Sequence, residues 1–181
     1  MAAAVEECRA LWRGDPFQGA EPHGGGRISP RPPQIPLLFG GHTAKALRRA
    51  ARLGDGWVGF YKDVDGFAAA RALLTRERET AGLEPDSFPT GMLLPTLVMD
   101  RDDGAVARAA AFMHGASNKD FRASPDRFVL AGTPDRILQR LADYHGAGCR
   151  HFILAVRDVG PAYMDQLAVV CAEILPGLAS F

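Results

Sequence analysis

The chain has 181 residues with an ordinary apolar share, so we expect one domain over residues 1–181 with a sizeable buried core. Its 21 Lys and Arg balance 21 Asp and Glu, which argues against nucleic acid or an anionic membrane as the main partner. The sequence also lacks a long apolar run and a recognisable secretion signal, so we expect a cytoplasmic protein without a membrane span.

Residues 1–35 are predicted to form a leading helix and a loop. Apolar residues recur at helical spacing over residues 2–13, and Gly14-Asp15-Pro16 ends that pattern. The stretch that follows is rich in proline and glycine, which favours an irregular loop up to the first strand.

Residues 36–43 are the most informative stretch. An apolar strand stops at Gly40 and Gly41, and His42 and Thr43 lead into a helical segment that ends near Leu53. Glycines allow close approach of a ligand to the backbone, and the first turn of a helix has unpaired N–H groups, so this pattern is typical of an anion site. A simple tight turn between a strand and a helix explains the same pattern.

The remaining residues, 36–181, alternate between predicted strands and helices. This order predicts an α/β fold with parallel strands, and four strand–helix units amount to half of a (β/α)₈ barrel. A further helix over 134–145, with Thr133 as its N-cap, follows a short segment at 128–130. The predicted pairs of strand and helix are 37–39 with 43–53, 56–60 with 66–80, 91–99 with 103–114, and 151–156 with 161–175.

Several other residues have structural and functional interpretations. We predict that Trp57 packs a helix against a strand and that Cys149 and Cys171 are small core residues. The basic residues of the helix over 43–53 are predicted to form a solvated face. Arg157 and Asp158 follow the last strand and could reach a ligand there, although an ion pair or a solvated loop is the simpler interpretation. The histidines and cysteines show no metal-ligand spacing, so no metal site is expected.

The run PPQIPLLFGGHTAKALRRAARLGDGWVGF, residues 32–60, resembles the luciferase-like monooxygenases. The matching features are a strand that ends in Gly-Gly, a helix that ends in Gly-Asp-Gly-Trp, and a strand that begins at the tryptophan. The segment Gly132-Thr133-Pro134-Asp135 and the strand at 151–154 also resemble the last helix and strand of that family. The resemblance covers nearly the whole chain but only the C-terminal half of the family's (β/α)₈ barrel, so it implies a partial TIM barrel with about four C-terminal βα units.

The resemblance implies a flavin-dependent oxidoreductase or monooxygenase whose coenzyme is FMN or the 5-deazaflavin coenzyme F420. It places Gly40, Gly41, His42 and Thr43 at the coenzyme, near its phosphate or the edge of its ring. For His42 a surface position is an equal alternative. No catalytic residue is implied.

The absence of the family's first four strands leaves two hypotheses. The chain is either a truncated flavin enzyme, inactive alone, or a non-catalytic half-barrel that serves as a binding or assembly module. A half-barrel exposes two strand edges and one core face. We therefore expect self-association or pairing with a missing N-terminal half, and a small organic substrate if the barrel is completed.

Overall fold

The protein is described by a computed structural model, which covers residues 1–19, 25–32, 35–113, 124–156, 161–179 and 181. The predicted α/β architecture is confirmed, because its strands form one parallel sheet with helices packed against it. The strands are β1 (Leu38–Phe39), β2 (Gly56–Phe60), β3 (Thr90–Val98), β4 (Leu130–Gly132) and β5 (His151–Val156).

The helices follow the predicted ranges within a few residues. The last one continues through a π-helical turn, Val170–Ile174, into a final short helix. The helices are α1 (Ala2–Arg13), α2 (Ala44–Leu53), α3 (Val64–Thr80), α4 (Ala105–Met113), α5 (Pro134–Gly146), α6 (Pro161–Val169) and α7 (Leu175–Leu178).

Side-chain caps set the starts of three helices. The Thr43 hydroxyl accepts from the Ala46 amide at the start of α2, and the Asp63 carboxylate accepts from the Gly66 amide at the start of α3. Thr133 caps α5 ahead of Pro134, as the sequence predicts. These short polar residues therefore determine where the chain turns from a strand into a helix.

The order of the strands differs from their order along the chain. β3 pairs with β2 over residues 90–93, with β5 over 91–96 and with β4 over 96–98. Strands β1, β2, β3 and β5 therefore lie side by side, and β4 extends the sheet only at the far end of β3. Because every pair is parallel, the carboxyl ends of the strands meet at one end of the sheet.

The main core lies between one face of the sheet and helices α2, α3 and α5. Its largest fully buried side chains include Trp57, Phe67 and Tyr144. Side chains alternate along a strand, so the residues next to Trp57 in β2 face the opposite side of the sheet. That opposite side is the inner face of the half-barrel, and it is less covered than the helix side: Leu38 is 48% exposed and Ile153 is 46% exposed.

The basic face of α2 is more than a solvated surface. Arg48 and Arg52 contact the two carboxylate oxygens of Glu77 on α3, at 3.1 and 3.0 Å. The solvated face is confirmed at Lys45, Arg48 and Arg52, which are exposed, and the ion pairs with Glu77 are an addition that the sequence did not predict.

None of the described helices is both long and apolar enough to cross a bilayer.

Candidate functional site

The glycine corner, which we define as Gly40, Gly41, His42 and Thr43, lies at the carboxyl end of the parallel strands. It follows β1 directly and opens into α2. Ligands of (β/α)₈ barrels bind at this end of the strands. The four residues that the sequence predicts as coenzyme-binding are thus contiguous at the functional end of the sheet.

The two glycines serve different purposes. Gly41 has φ +118°, and a Cβ atom on it would lie 2.6 Å from the Cβ of Ala46, so both backbone and space require glycine. A Cβ atom on Gly40 would meet only the Val58 carbonyl oxygen, at 3.9 Å. Gly40 is exposed, and nothing in the described part of the chain fills the space beside it. Gly41 therefore shapes the turn, whereas Gly40 leaves the backbone open to a ligand.

The start of α2 provides donors for an anion. The Thr43 carbonyl accepts from Leu47, and its hydroxyl oxygen accepts from Ala46. The amides of Ala44 and Lys45 precede the first intrahelical bond and have no acceptor within the helix. The Thr43 hydroxyl also keeps its own proton for donation. Together with the positive end of the helix dipole, these groups favour a negatively charged ligand.

Trp57 holds the glycine corner from the core side. Its indole N–H donates to the Gly41 carbonyl oxygen at 3.2 Å, and its ring packs on Phe67 with centroids 5.7 Å apart. Trp57 has no exposed surface. The prediction that it packs a helix against a strand is confirmed, but its hydrogen bond to the glycine turn is not evident from the sequence, since the partners are 16 residues apart.

Asp55 forms hydrogen bonds with Leu37, the residue just before β1, and β1 leads to the glycine corner. Its carboxylate accepts from the Leu37 amide and from the Arg9 guanidinium, both at 2.9 Å. Its own amide donates to the Leu37 carbonyl. Arg9 also donates to the Leu53 carbonyl, so α1 is tied to the same point. The Gly-Asp-Gly-Trp run is therefore a junction of α1, β1 and α2.

Lys62, which follows β2, places a positive charge near the corner. Partial burial, and then the charge of Lys62, lower the pKa of His42 below its usual 6.5. His42 is therefore mostly neutral at pH 7. Its side chain is exposed. The Tyr144 hydroxyl of α5 donates to the Lys62 carbonyl at 2.6 Å and fixes this loop. The preceding Tyr61 has φ +49°, an uncommon conformation for a residue other than glycine.

Sequence reasoning did not single out Lys62 or Tyr144. The position of Lys62 could have been used, because it follows a predicted strand at the same end of the sheet as Gly41. The role of Tyr144 could not be read from the sequence, since its hydrogen-bond partner Lys62 lies 82 residues away. The predicted candidates Arg157 and Asp158 lie outside the described residues.

The cysteine predictions have mixed outcomes. Cys149 is buried, and burial raises the pKa of its thiol to about 11, so it is an inert core residue. The prediction for Cys171 is wrong: it is exposed, because Val170 and Ile174 take the buried positions of the π-helical turn. Within the described ranges, no three His, Cys, Asp or Glu side chains converge in a way that could hold a metal ion.

Comparisons with known proteins give consistent matches. A family model described as luciferase-like monooxygenase matches residues 1–151. The 5,10-methylenetetrahydromethanopterin reductase of Archaeoglobus fulgidus is 24% identical in an alignment 193 positions long that covers 85% of this chain and 58% of that protein.

Two solved structures have a similar fold. The coenzyme F420-dependent tetrahydromethanopterin reductase of Methanopyrus kandleri superposes with a TM-score of 0.73 at 17% identity, covering 97% of this chain and 63% of that one. An F420-dependent secondary alcohol dehydrogenase, solved with an F420–acetone adduct, has a TM-score of 0.69 at 19% identity, covering 87% and 56%. The chain thus spans less than two thirds of the length of each of these relatives.

Proposed function

Because the chain belongs to the luciferase-like monooxygenase family, we propose that its glycine corner binds the phosphate end of FMN or of the deazaflavin coenzyme F420. The observation that carries the proposal is the open backbone at Gly40 beside the first amides of α2, which have no acceptor within the helix. The names of the F420-dependent relatives support the deazaflavin as one of the two coenzymes.

The residues of the corner fit a phosphate group. The amides of Ala44 and Lys45 and the hydroxyl of Thr43 would donate to its oxygens, and Lys62 would contribute a nearby positive charge. His42 adds a neutral donor, and a bound anion would raise its pKa and favour its protonated form. The bound coenzyme would supply redox chemistry on a small organic substrate, and the chain would hold and orient its phosphate end.

The described sheet has too few strands to form a closed barrel. A closed (β/α)₈ barrel needs eight strands, whereas four of the described strands lie side by side here. The chain also spans only part of its relatives. We therefore propose that the chain alone binds the coenzyme but does not turn over substrate until further strands complete the barrel.

A spectroscopic titration tests this proposal. FMN, riboflavin and F420 are each added to the folded protein, and flavin fluorescence or absorbance is followed. Riboflavin serves as the control ligand because it lacks the phosphate group. We expect FMN to bind at least about tenfold more tightly than riboflavin, because riboflavin has no phosphate group to accept the charge-assisted hydrogen bonds. Equal binding of both, or no saturable binding of FMN and F420, would contradict the proposal.

A second function, as a non-catalytic assembly module, is favoured by the inner face of the sheet. The register aligns Phe60, Leu93 and Ile153 in one row across β2, β3 and β5. Leu38 stands on the same face at the edge strand, and it is 48% exposed. An apolar face between two open strand edges favours self-association or pairing with a missing N-terminal half.

Sedimentation measures this association. The wild-type protein is expected to form dimers or larger species as its concentration rises, and Ile153→Asp to shift it toward monomer. Val106→Asp is the matched control, because Val106 is equally exposed, at 49%, but lies on helix α4. A compact monomer at every concentration would refute self-association, and an equal effect of both substitutions would exclude the inner face as its site.

A further inference from the structure

A cleft of about 330 Å³ lies at the end of the sheet opposite the glycine corner. It is formed by helix α3, by the loop at 85–89 that leads into β3, and by the residues just before β5. Among the described residues, its lining has three arginines, Arg71, Arg78 and Arg150, and one carboxylate, that of Asp86. The lining therefore has an excess of positive charge in a protein whose overall charge is balanced.

Arg78 is a buried cation with only neutral partners. It is 9% exposed, and its guanidinium donates to the carbonyl oxygens of Glu84 and Ala51, each at 3.0 Å. The guanidinium carbon also lies 4.5 Å from the centre of the Phe88 ring. No carboxylate pairs with Arg78 in the described part of the chain. A buried charge without a counter-ion is costly, so an anion in the cleft would offset that cost.

Arg71 and Arg150 bring two further guanidinium groups to the same cleft. The side chain of Arg71 lies against Gly148, where a Cβ atom would be 2.4 Å from its Nε. Gly148 also has φ +97°, so it is required both by the turn and by the position of Arg71. Arg150 donates to the carbonyls of His145 and Cys149, which orients it. Neither arginine forms an ion pair within the described ranges.

We propose that this arginine cleft is a second binding site, which takes a small polyanion with two or more phosphate or carboxylate groups. Guanidinium groups bind both kinds of oxyanion through paired N–H donors, and several of them facing one cleft suit a ligand with several charges. The cleft volume is at the lower end of the range for small-molecule sites. The Phe88 ring and the Leu74 side chain form an apolar wall beside the charges.

Calorimetric titration with pyrophosphate and with citrate tests the site. Arg71→Gln removes one charge from the cleft, and we expect it to weaken binding of the preferred anion about tenfold or more. Arg76→Gln is the matched control, because Arg76 is on the same helix and exposed but does not line the cleft. We expect this control to bind as the wild type does. Tighter binding of pyrophosphate would identify a phosphate ligand, and tighter binding of citrate a carboxylate ligand.

Three results would overturn the proposal. The first is the absence of saturable binding of either anion by the folded protein. The second is an equal loss in Arg71→Gln and Arg76→Gln, which would indicate general charge attraction. The third is unchanged binding in Arg71→Gln, which would place the anion elsewhere, for example at the glycine corner. Circular dichroism of each variant establishes that it is folded before binding is measured.

Discussion

Replacing Trp57 by alanine is expected to lower the free energy of unfolding by about 3–5 kcal/mol. The indole is completely buried between β2 and the helices, where it packs on Phe67. Its removal leaves a large cavity at the centre of the core and frees the Gly41 carbonyl from its partner. A domain of this size is stable by only about 5–15 kcal/mol, so the variant should be partly unfolded at moderate temperature. Urea denaturation followed by circular dichroism measures the loss.

Trp57→Phe separates packing from hydrogen bonding at this position. Phenylalanine keeps most of the apolar contact but has no donor for the Gly41 carbonyl oxygen, so we expect a loss of about 1–3 kcal/mol. If the alanine variant were no less stable than the phenylalanine variant, the core role assigned to Trp57 would be wrong.

The second large effect is expected at the glycine corner, from alanine at Gly40 and Gly41. Gly41→Ala should cost about 1–3 kcal/mol of stability, because its φ of +118° is strained for alanine. The new methyl group would also lie 2.6 Å from Ala46. Gly40→Ala should change stability by less than about 0.5 kcal/mol, because its methyl group would point into open space.

Gly40→Ala, which should leave stability nearly unchanged, should nevertheless weaken coenzyme binding. The methyl group of Gly40→Ala would occupy the approach to the backbone, so we expect FMN or F420 to bind at least about tenfold more weakly although the fold is intact. The titration is the one described for the wild type. Unchanged coenzyme affinity in a fully folded Gly40→Ala variant would mean that the ligand does not approach this backbone.

The local patterns of the chain predicted its elements well. The spacing of apolar residues indicated α1, α2 and α3, and Thr133 marked a helix start that the structure confirms. Each of these signals depends on residues within one or two turns, and such signals are readable from a single sequence. The predicted strand at residues 37–39 is shortened to Leu38–Phe39, a difference of one residue at an edge.

Contacts between distant residues were not predicted. The pairing of β5 with β3 rather than with β4 brings together segments about 60 residues apart, and nothing in either strand specifies its neighbour. The ion pairs of Glu77 with Arg48 and Arg52 also join residues far apart in the chain. So does the hydrogen bond from the Tyr144 hydroxyl to the Lys62 carbonyl. The exposure of Cys171 depends on a π-helical turn, which shifts the buried face of the last helix.

The amino-acid sequence by itself determined the alternation of strands and helices, the glycine turn after the first strand, and the resemblance to the luciferase-like family. These follow from local periodicity, from the backbone freedom of glycine and from a contiguous motif. Only the tertiary structure decided that Gly40 is open while Gly41 is enclosed, that Trp57 holds the turn from the core, and that three arginines converge on one cleft. The physical reason is that space and uncompensated charge at a point depend on every segment packed around it, and those segments are far apart along the chain.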